Sequence, residues 1–358
     1  KVGSSLLVDG AGEVRRDWLK TLVADIAARI ASGQPVALVS SGAIALGARR
    51  LKLPRGGRAS LEDAQAAAAT GQIVLAQVWS ELLAEHGLAA AQILVTLDDL
   101  EDRRRYLNAS ATLDRLIGLG VVPVINENDS VATEEIRFGD NDRLAARIAQ
   151  AAGARTVILL SDVDGLYTAD PARDPAAQRL ETVRRIDRRI VAMASGETSS
   201  GMGSGGMRSK IEADRIANAS GVDLVNVSGL HDHPLARLEG GGCGTLFAAA
   251  RATRRRKAWL AGRLAVRGRI EVDDGAISAL KGGASLLPAG ARGVAGRFAR
   301  GDVVDIVGVD GQAVARGLSE YGSDDAALIA GRRSDEAARL LGHAPRSALV
   351  HRDHMVLL

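Results

Sequence analysis

Residues 121–125, Val-Val-Pro-Val-Ile, are apolar at every position and give way at once to Asn126-Glu127-Asn128-Asp129. A strand with one wet face alternates apolar and polar residues. A strand apolar throughout is covered on both faces and belongs in a buried, mostly parallel sheet. Gly139-Asp140-Asn141-Asp142 then opens a helical pattern through Leu144 and Ile148. In open parallel sheets ligands bind beyond the carboxyl ends of the strands. The stretch from Ile125 to Asp142 is therefore a candidate working centre. The plainer alternative is a polar loop followed by an ordinary Asp/Asn helix cap.

The same unit recurs along the first two-thirds of the chain. Pro35 to Val39 reads as a buried strand running into Ser40-Ser41-Gly42 and a helix, and Thr156 to Leu160 as another, ending in Ser161-Asp162. Gln92 to Thr96 and Val222 to Val227 are further strands, and Lys1-Val2 is the tail of one before a turn at Gly3. Helical periodicity covers 17–30, 61–86, 102–119 and 207–220. Strands alternating with helices predict an α/β domain, its mostly parallel sheet covered on both faces. After Phe247 the pattern changes. Arg251 to Lys257 is basic without apolar periodicity, and short strand-like runs with two brief helical patterns follow from Leu264. The expected organisation is an α/β domain over 1–250, a linker over 251–260 and a small mostly-β domain over 261–358.

With 358 residues, 46% hydrophobic and 25% charged, the chain has ordinary globular composition for two domains. A net charge of +3, with arginine in both halves, admits anionic ligands without indicating nucleic acid. The one cysteine, Cys243, excludes an internal disulfide framework and is expected to be a small buried residue. No apolar run approaches the ~20 residues of a membrane helix, so no membrane association is expected.

Three glycine-containing turns follow strands or open helices: Gly3, Gly42, and the run from Gly201 to Gly206. Such turns expose backbone N–H groups to an anion, and a helix N-terminus adds positive potential. Lys1 precedes the first turn and Lys210 lies one turn into the helix after the third. Two lysines and amide-rich turns suit a polyphosphate and a transferring phosphoryl group. The plainer reading makes Lys210 a surface residue beside a flexible loop. GMGSGG satisfies a dinucleotide fingerprint only formally, because polar residues precede it where a strand is required. No Gly-Lys dipeptide occurs, which excludes a Walker A loop. His351-Arg352-Asp353 lacks the Asn of a protein-kinase catalytic loop, and the six histidines show no metal-ligand spacing.

Lys1-Val2-Gly3-Ser4-Ser5, SSGAI at 40–44, INENDSVAT at 125–133, GDND at 139–142, LLSDVDGLYTADP at 159–171 and GMGSGGMRSK at 201–210 occur in that order. Together they resemble the amino acid kinase superfamily, and within it the glutamate 5-kinases. GRIEVDDGA, GASLLPAG, FARGDVV and VHRD in the tail resemble a PUA domain. The resemblance implies a three-layer αβα fold and transfer of phosphate from ATP, with Mg²⁺, to the γ-carboxylate of L-glutamate. It implies that Lys1 and Lys210 neutralise the phosphates while Asp142 holds both lysines. Ser41, Gly42, Asp129 and Asn141 would bind glutamate, Asp129 facing its ammonium group. Lys1, Gly3, Ser161, Asp162, Ser204, Gly205, Gly206, Met207, Arg208, Ser209 and Lys210 would line the nucleotide site. Magnesium would be held mainly by the ATP phosphates. Proline inhibition, homo-oligomerisation, channelling to glutamyl phosphate reductase and a cytoplasmic location are further implications. Competing readings are a kinase for aspartate, acetylglutamate, carbamate or UMP, and an RNA-binding protein built on the PUA-like part. Aromatic residues, at 3%, weaken the latter because RNA recognition commonly uses stacking platforms.

Overall fold

Two half-sheets meet at the second residue of the chain. The computed structural model describes residues 1–358 except 11, 132–139, 172, 195–205, 250–265 and 347. One half-sheet holds β1 (Leu38–Val39), β2 (Ala90–Val95) and β3 (Val122–Glu127), in the order β1-β3-β2 and all parallel. The other holds β4 (Thr156–Ser161), β5 (Thr182–Val183), β6 (Asp223–Ser228) and β7 (Gly244–Phe247), in the order β4-β6-β7-β5. In this second half-sheet only the β6–β7 pairing is antiparallel. Val2 forms parallel bridges to both Ser40 and Leu160, so the first residues sit between the halves. The Val2 amide donates to Val39 O at 2.8 Å and the Leu160 amide to Lys1 O at 2.9 Å. The mostly parallel sheet expected from the apolar runs is present.

The connecting helices follow from local chemistry. They are α1 (Ser4–Leu7), α2 (Arg16–Ala31), α3 (Ala43–Arg50), α4 (Leu61–Ala84), α5 (Leu97–Glu101), α6 (Arg103–Gly118), α7 (Asp140–Ala151), α8 (Arg188–Met193), α9 (Gly206–Ala219) and α10 (Pro234–Glu239). Ser60 caps α4 by accepting from the Asp63 amide at 3.1 Å, and Glu62 and Asp63 place negative charge at the positive end of the helix dipole. Ala64, Ala67, Ala68, Gly71, Gln72, Leu75 and Trp79 recur at helical spacing and form its buried face. Leu6, Leu7, Leu19, Leu22, Leu75, Trp79, Leu83, Val122 and Leu160 join in one core.

At the α3–α4 crossing the two backbones touch. A Cβ on Gly71 would overlap Ala43 O, and one on Gly47 would overlap Ala67 O. Only glycine, which has no Cβ, admits so short an interaxial distance, and the approach fixes the face that Gln72 presents.

Differences from expectation are local. Pro35 to Ala37 are not in a strand; β1 keeps only Leu38 and Val39, the residues paired with Val124 and Ile125. β3 extends two residues past Ile125, because Leu94 and Val95 pair with Asn126 and Glu127. Cys243 is exposed rather than buried. It belongs to the glycine turn after α10, ahead of β7, where Thr245 and Phe247 are the residues turned inward.

Asp214 on α9 is 1% exposed with neither carboxylate oxygen in a hydrogen bond. Burial pushes its pKa from 3.8 up to about 7; the Asn218 amide opposes the shift without reaching hydrogen-bond geometry, and the Asp223 charge adds to it. The folded protein thus holds a proton that the unfolded chain releases above its lower pKa. Stability falls as pH rises through this window, and the penalty is complete above about pH 7. Asp214→Asn removes it. We expect the variant to gain on the order of 5 °C in Tm at pH 8 over wild type, and a much smaller gain at pH 5. Thermal melts at the two pH values check this; an equal gain at both contradicts it.

Contacts divide the chain into two units, one of Lys1–Glu101 with Ala109–Ala250 and one of Asp102–Asn108 with Arg251–Leu358. The second unit holds a five-stranded sheet ordered β12-β11-β10-β8-β9, with β8 (Gly268–Val272), β9 (Ala291–Gly296), β10 (Val303–Val307), β11 (Ala313–Ser319) and β12 (Val350–Leu357). Ile270, Val304, Ile306, Ala315 and Leu349 form its core, and Arg316 Nε donates across the strands to Asp305 Oδ1 at 2.7 Å. The expected linker, 251–260, lies outside the described residues.

Candidate active site

Asp142 stands in the first turn of α7, and Lys210 lies on α9, the helix packed against it. Lys1 reaches the same point from the central segment. Its Nζ is 2.7 Å from Asp142 Oδ1, and Lys210 Nζ is 3.3 Å from Oδ2. The Ser209 hydroxyl donates to Oδ2 at 3.1 Å. The three charged side chains are each at least nine-tenths buried. Burial alone raises the pKa of Asp142; the two lysines overcome it and hold the carboxyl well below the usual carboxylate range. Two ammonium groups share one carboxylate, so among the described residues one positive charge is left over, a pre-formed attraction for an anion.

Asn141, the preceding residue, belongs to a second group. Its Nδ2 donates to Ser41 Oγ at 2.9 Å and to Asn126 Oδ1 at 3.0 Å. Asn126 Nδ2 in turn donates to Gln72 Oε1 at 2.8 Å. Ser40 beneath is held by Trp79, whose Nε1 donates to its hydroxyl at 2.9 Å. Gly42 caps α3 at φ +106°, a left-handed conformation that suits glycine and turns the chain from β1 into the helix. Asp129, 9% exposed, lines a cavity of about 270 Å³ with Gln72, Glu127, Asn128 and Ser130.

The expected nucleotide residues divide. Gly3 lies beside the cluster: its amide donates to Leu160 O at 3.3 Å, and a Cβ there would be 4.0 Å from Lys1 Nζ. Ser161 and Asp162 follow at the end of β4. The Ser161 hydroxyl is 3.0 Å from Val163 O and 3.1 Å from Asn226 Oδ1, so it is engaged within the fold. Gly206 and Met207 open α9 beside Ser209 and Lys210, whereas Arg208 turns to solvent, 3.7 Å from Glu212. Ser204 and Gly205 lie outside the described residues.

A model of the amino acid kinase family matches residues 1–226, and one of the PUA domain matches 268–341. The glutamate 5-kinase of Sphingopyxis alaskensis is 66% identical over 358 residues, covering all of this chain and 96% of that protein. The chain belongs to the amino acid kinase family, among the glutamate 5-kinases. The Zymomonas mobilis glutamate 5-kinase is 62% identical over the whole chain and 90% of its own length. Among solved structures, a substrate complex of isopentenyl phosphate kinase is 18% identical, covers 69% of this chain and 97% of its own, and has a TM-score of 0.46.

Two residues of this family member's polar network escaped the site expected from sequence. Asn126 stood in the singled-out stretch without an assigned role. Gln72 was hidden in an alanine-rich helix, and its signal is positional: an amide at the third place of an i, i+4, i+8 register whose first two places are the buried Ala64 and Ala68, with buried Leu75 three residues further on. A buried amide among apolar residues requires partners.

Proposed function

We infer that this chain transfers the γ-phosphoryl group of ATP to the γ-carboxylate of L-glutamate, yielding γ-glutamyl phosphate and ADP in the first step of proline biosynthesis. The observation that carries the chemistry is the pair of buried ammonium groups meeting at Asp142, one residue from Asn141.

The nucleophile is a carboxylate, already ionised at neutral pH, so no general base is needed. A carboxylate oxygen forms the new bond to the γ-phosphorus as the bond to the ADP oxygen breaks. The obstacle is repulsion between two anions, and the remedy is fixed positive charge with oriented donors. In this reading Lys1 and Lys210 face the phosphates, with Asp142 fixing both and Ser209 fixing Asp142. Ser41, Gly42, Asn141 and Asp129 hold the amino acid, Asp129 taking the ammonium group. Gly3, Ser161, Asp162 and the start of α9 border the nucleotide.

ATP is used as its magnesium chelate. Asp142 is committed to two lysines, and among the described residues no group of three or more His, Cys, Asp or Glu is placed to hold a metal ion. In this reading magnesium would be carried on the nucleotide's own phosphates, where it would neutralise charge. Among the described residues no helix is long and apolar enough to cross a membrane. Inhibition by proline, assembly into a homo-oligomer, delivery of the acyl phosphate to a glutamyl phosphate reductase and a cytoplasmic location belong to the same reading.

The test traps the product. With glutamate, ATP, magnesium and hydroxylamine, γ-glutamyl hydroxamate is expected, and little from aspartate or acetylglutamate run in parallel. Hydroxamate from another acceptor but not from glutamate would overturn the substrate.

A further inference from the structure

Gln72 touches neither lysine, yet it terminates a chain of side-chain amides that ends at Ser41. The links are Asn126 Nδ2 to Gln72 Oε1, 2.8 Å; Asn141 Nδ2 to Asn126 Oδ1, 3.0 Å; and Asn141 Nδ2 to Ser41 Oγ, 2.9 Å. Such a chain has a direction. Each amide has a donating and an accepting end, so the orientation of one fixes the next. As found, Gln72 accepts, and both protons of Asn141 Nδ2 are used, one toward Asn126 and one toward Ser41, which leaves Asn141 Oδ1 buried with no hydrogen-bond partner among the described residues. The Ser41 oxygen is therefore an acceptor in this chain, and among the described residues its own hydroxyl proton has no acceptor.

The reverse direction uses the same positions. Gln72 would donate, Asn126 would turn, and Asn141 would present its carbonyl oxygen to Ser41. That oxygen would then take the hydroxyl proton. The two arrangements differ in what Ser41 offers a ligand: a donor in the first, only lone pairs in the second. A carboxylate can be held only by the first.

We propose that Gln72 is a positioning residue for the amino-acid substrate: accepting from Asn126, it sets the relay direction that leaves the Ser41 hydroxyl proton free to donate to a carboxylate of glutamate. Its backbone is built to hold it there. Gln72 follows Gly71 at the point where α3 and α4 touch, is 8% exposed, and shares α4 with Trp79, which holds Ser40 next to Ser41. One helix thus orients both ends of the pair Ser40-Ser41. The proposal rests on the glutamate kinase reading above.

The experiment is a double-mutant cycle of Gln72→Met with Ser41→Ala, read in the hydroxamate assay. Methionine keeps the length of glutamine and removes the acceptor. Gln72→Met is expected to raise KM for glutamate about tenfold, the size of one lost hydrogen bond to a charged group. KM for ATP should stay near wild type, and the melting temperature should fall by about a few degrees, because the buried Asn126 Nδ2 loses its acceptor. Ser41→Ala should raise KM for glutamate similarly, and adding Gln72→Met to it should raise it no further, because both remove the same donor. Additive effects, an equal rise in KM for ATP, or an unchanged KM for glutamate would overturn the proposal. If wild type forms no glutamyl hydroxamate, the substrate assignment fails and the proposal falls with it. If wild type does form it and the two effects add, only the role of Gln72 fails.

Discussion

Replacing Lys210 with alanine lowers kcat by about 10²–10³-fold, the cost of losing one transition-state donor in a water-poor site. The geometry allows this loss to be separated from misfolding. Lys1 remains 2.7 Å from Asp142, so Lys210→Ala does not strand a buried charge, and its melting temperature should move little. Removing Asp142 is the contrasting case. It leaves two ammonium groups facing one another in a buried site, and stability should drop by several kcal/mol along with activity. Steady-state kinetics with saturating glutamate, beside thermal melts, distinguish the two variants. An unchanged kcat in Lys210→Ala removes that lysine from the mechanism.

Gly71→Ala should be among the most damaging single-methyl additions in the chain. The new carbon would overlap Ala43 O and approach the Gly47 amide, both backbone atoms that cannot turn aside. The helices must separate, and overpacking of this kind costs roughly 3 kcal/mol or more. At about 2–4 °C per kcal/mol, Tm should fall by on the order of 10 °C. Gly118→Ala is the control: a Cβ there meets nothing within 4 Å, and alanine near the end of α6 should be neutral or slightly stabilising. Similar losses in both variants would contradict a steric origin.

Much of this was visible in the sequence, for a physical reason. Strands buried on both faces must be apolar throughout, so β3 and β4 announced themselves, and so did the polar residues where they end. Lys1, Asp142 and Lys210 were legible as a set only through motifs far apart in the chain, because nothing local indicates that 1, 142 and 210 converge. The α3–α4 contact was not legible. Gly47 and Gly71 sit among alanines in patterns that predict helix with or without them, and close approach leaves no periodicity. Gln72 was obscured by the same alanine-rich composition. Cys243 misled because GGGCGTLF looks like the entry to a strand, whereas the inward face begins only at Thr245. The direction of the β6–β7 pairing was also hidden, since a run of only four residues, Gly244 to Phe247, fits either orientation.

The bridges of Val2 to Ser40 and to Leu160 have a consequence for how activity is lost. The lysine beside Val2 is anchored by neighbours about forty and about one hundred and sixty positions away along the chain, so its placement reports the joining of both halves. Neither half can assemble a working centre on its own. If one half loosens slightly at low urea, catalysis ceases while most helical signal persists, and turnover becomes the earliest gauge of the seam coming apart.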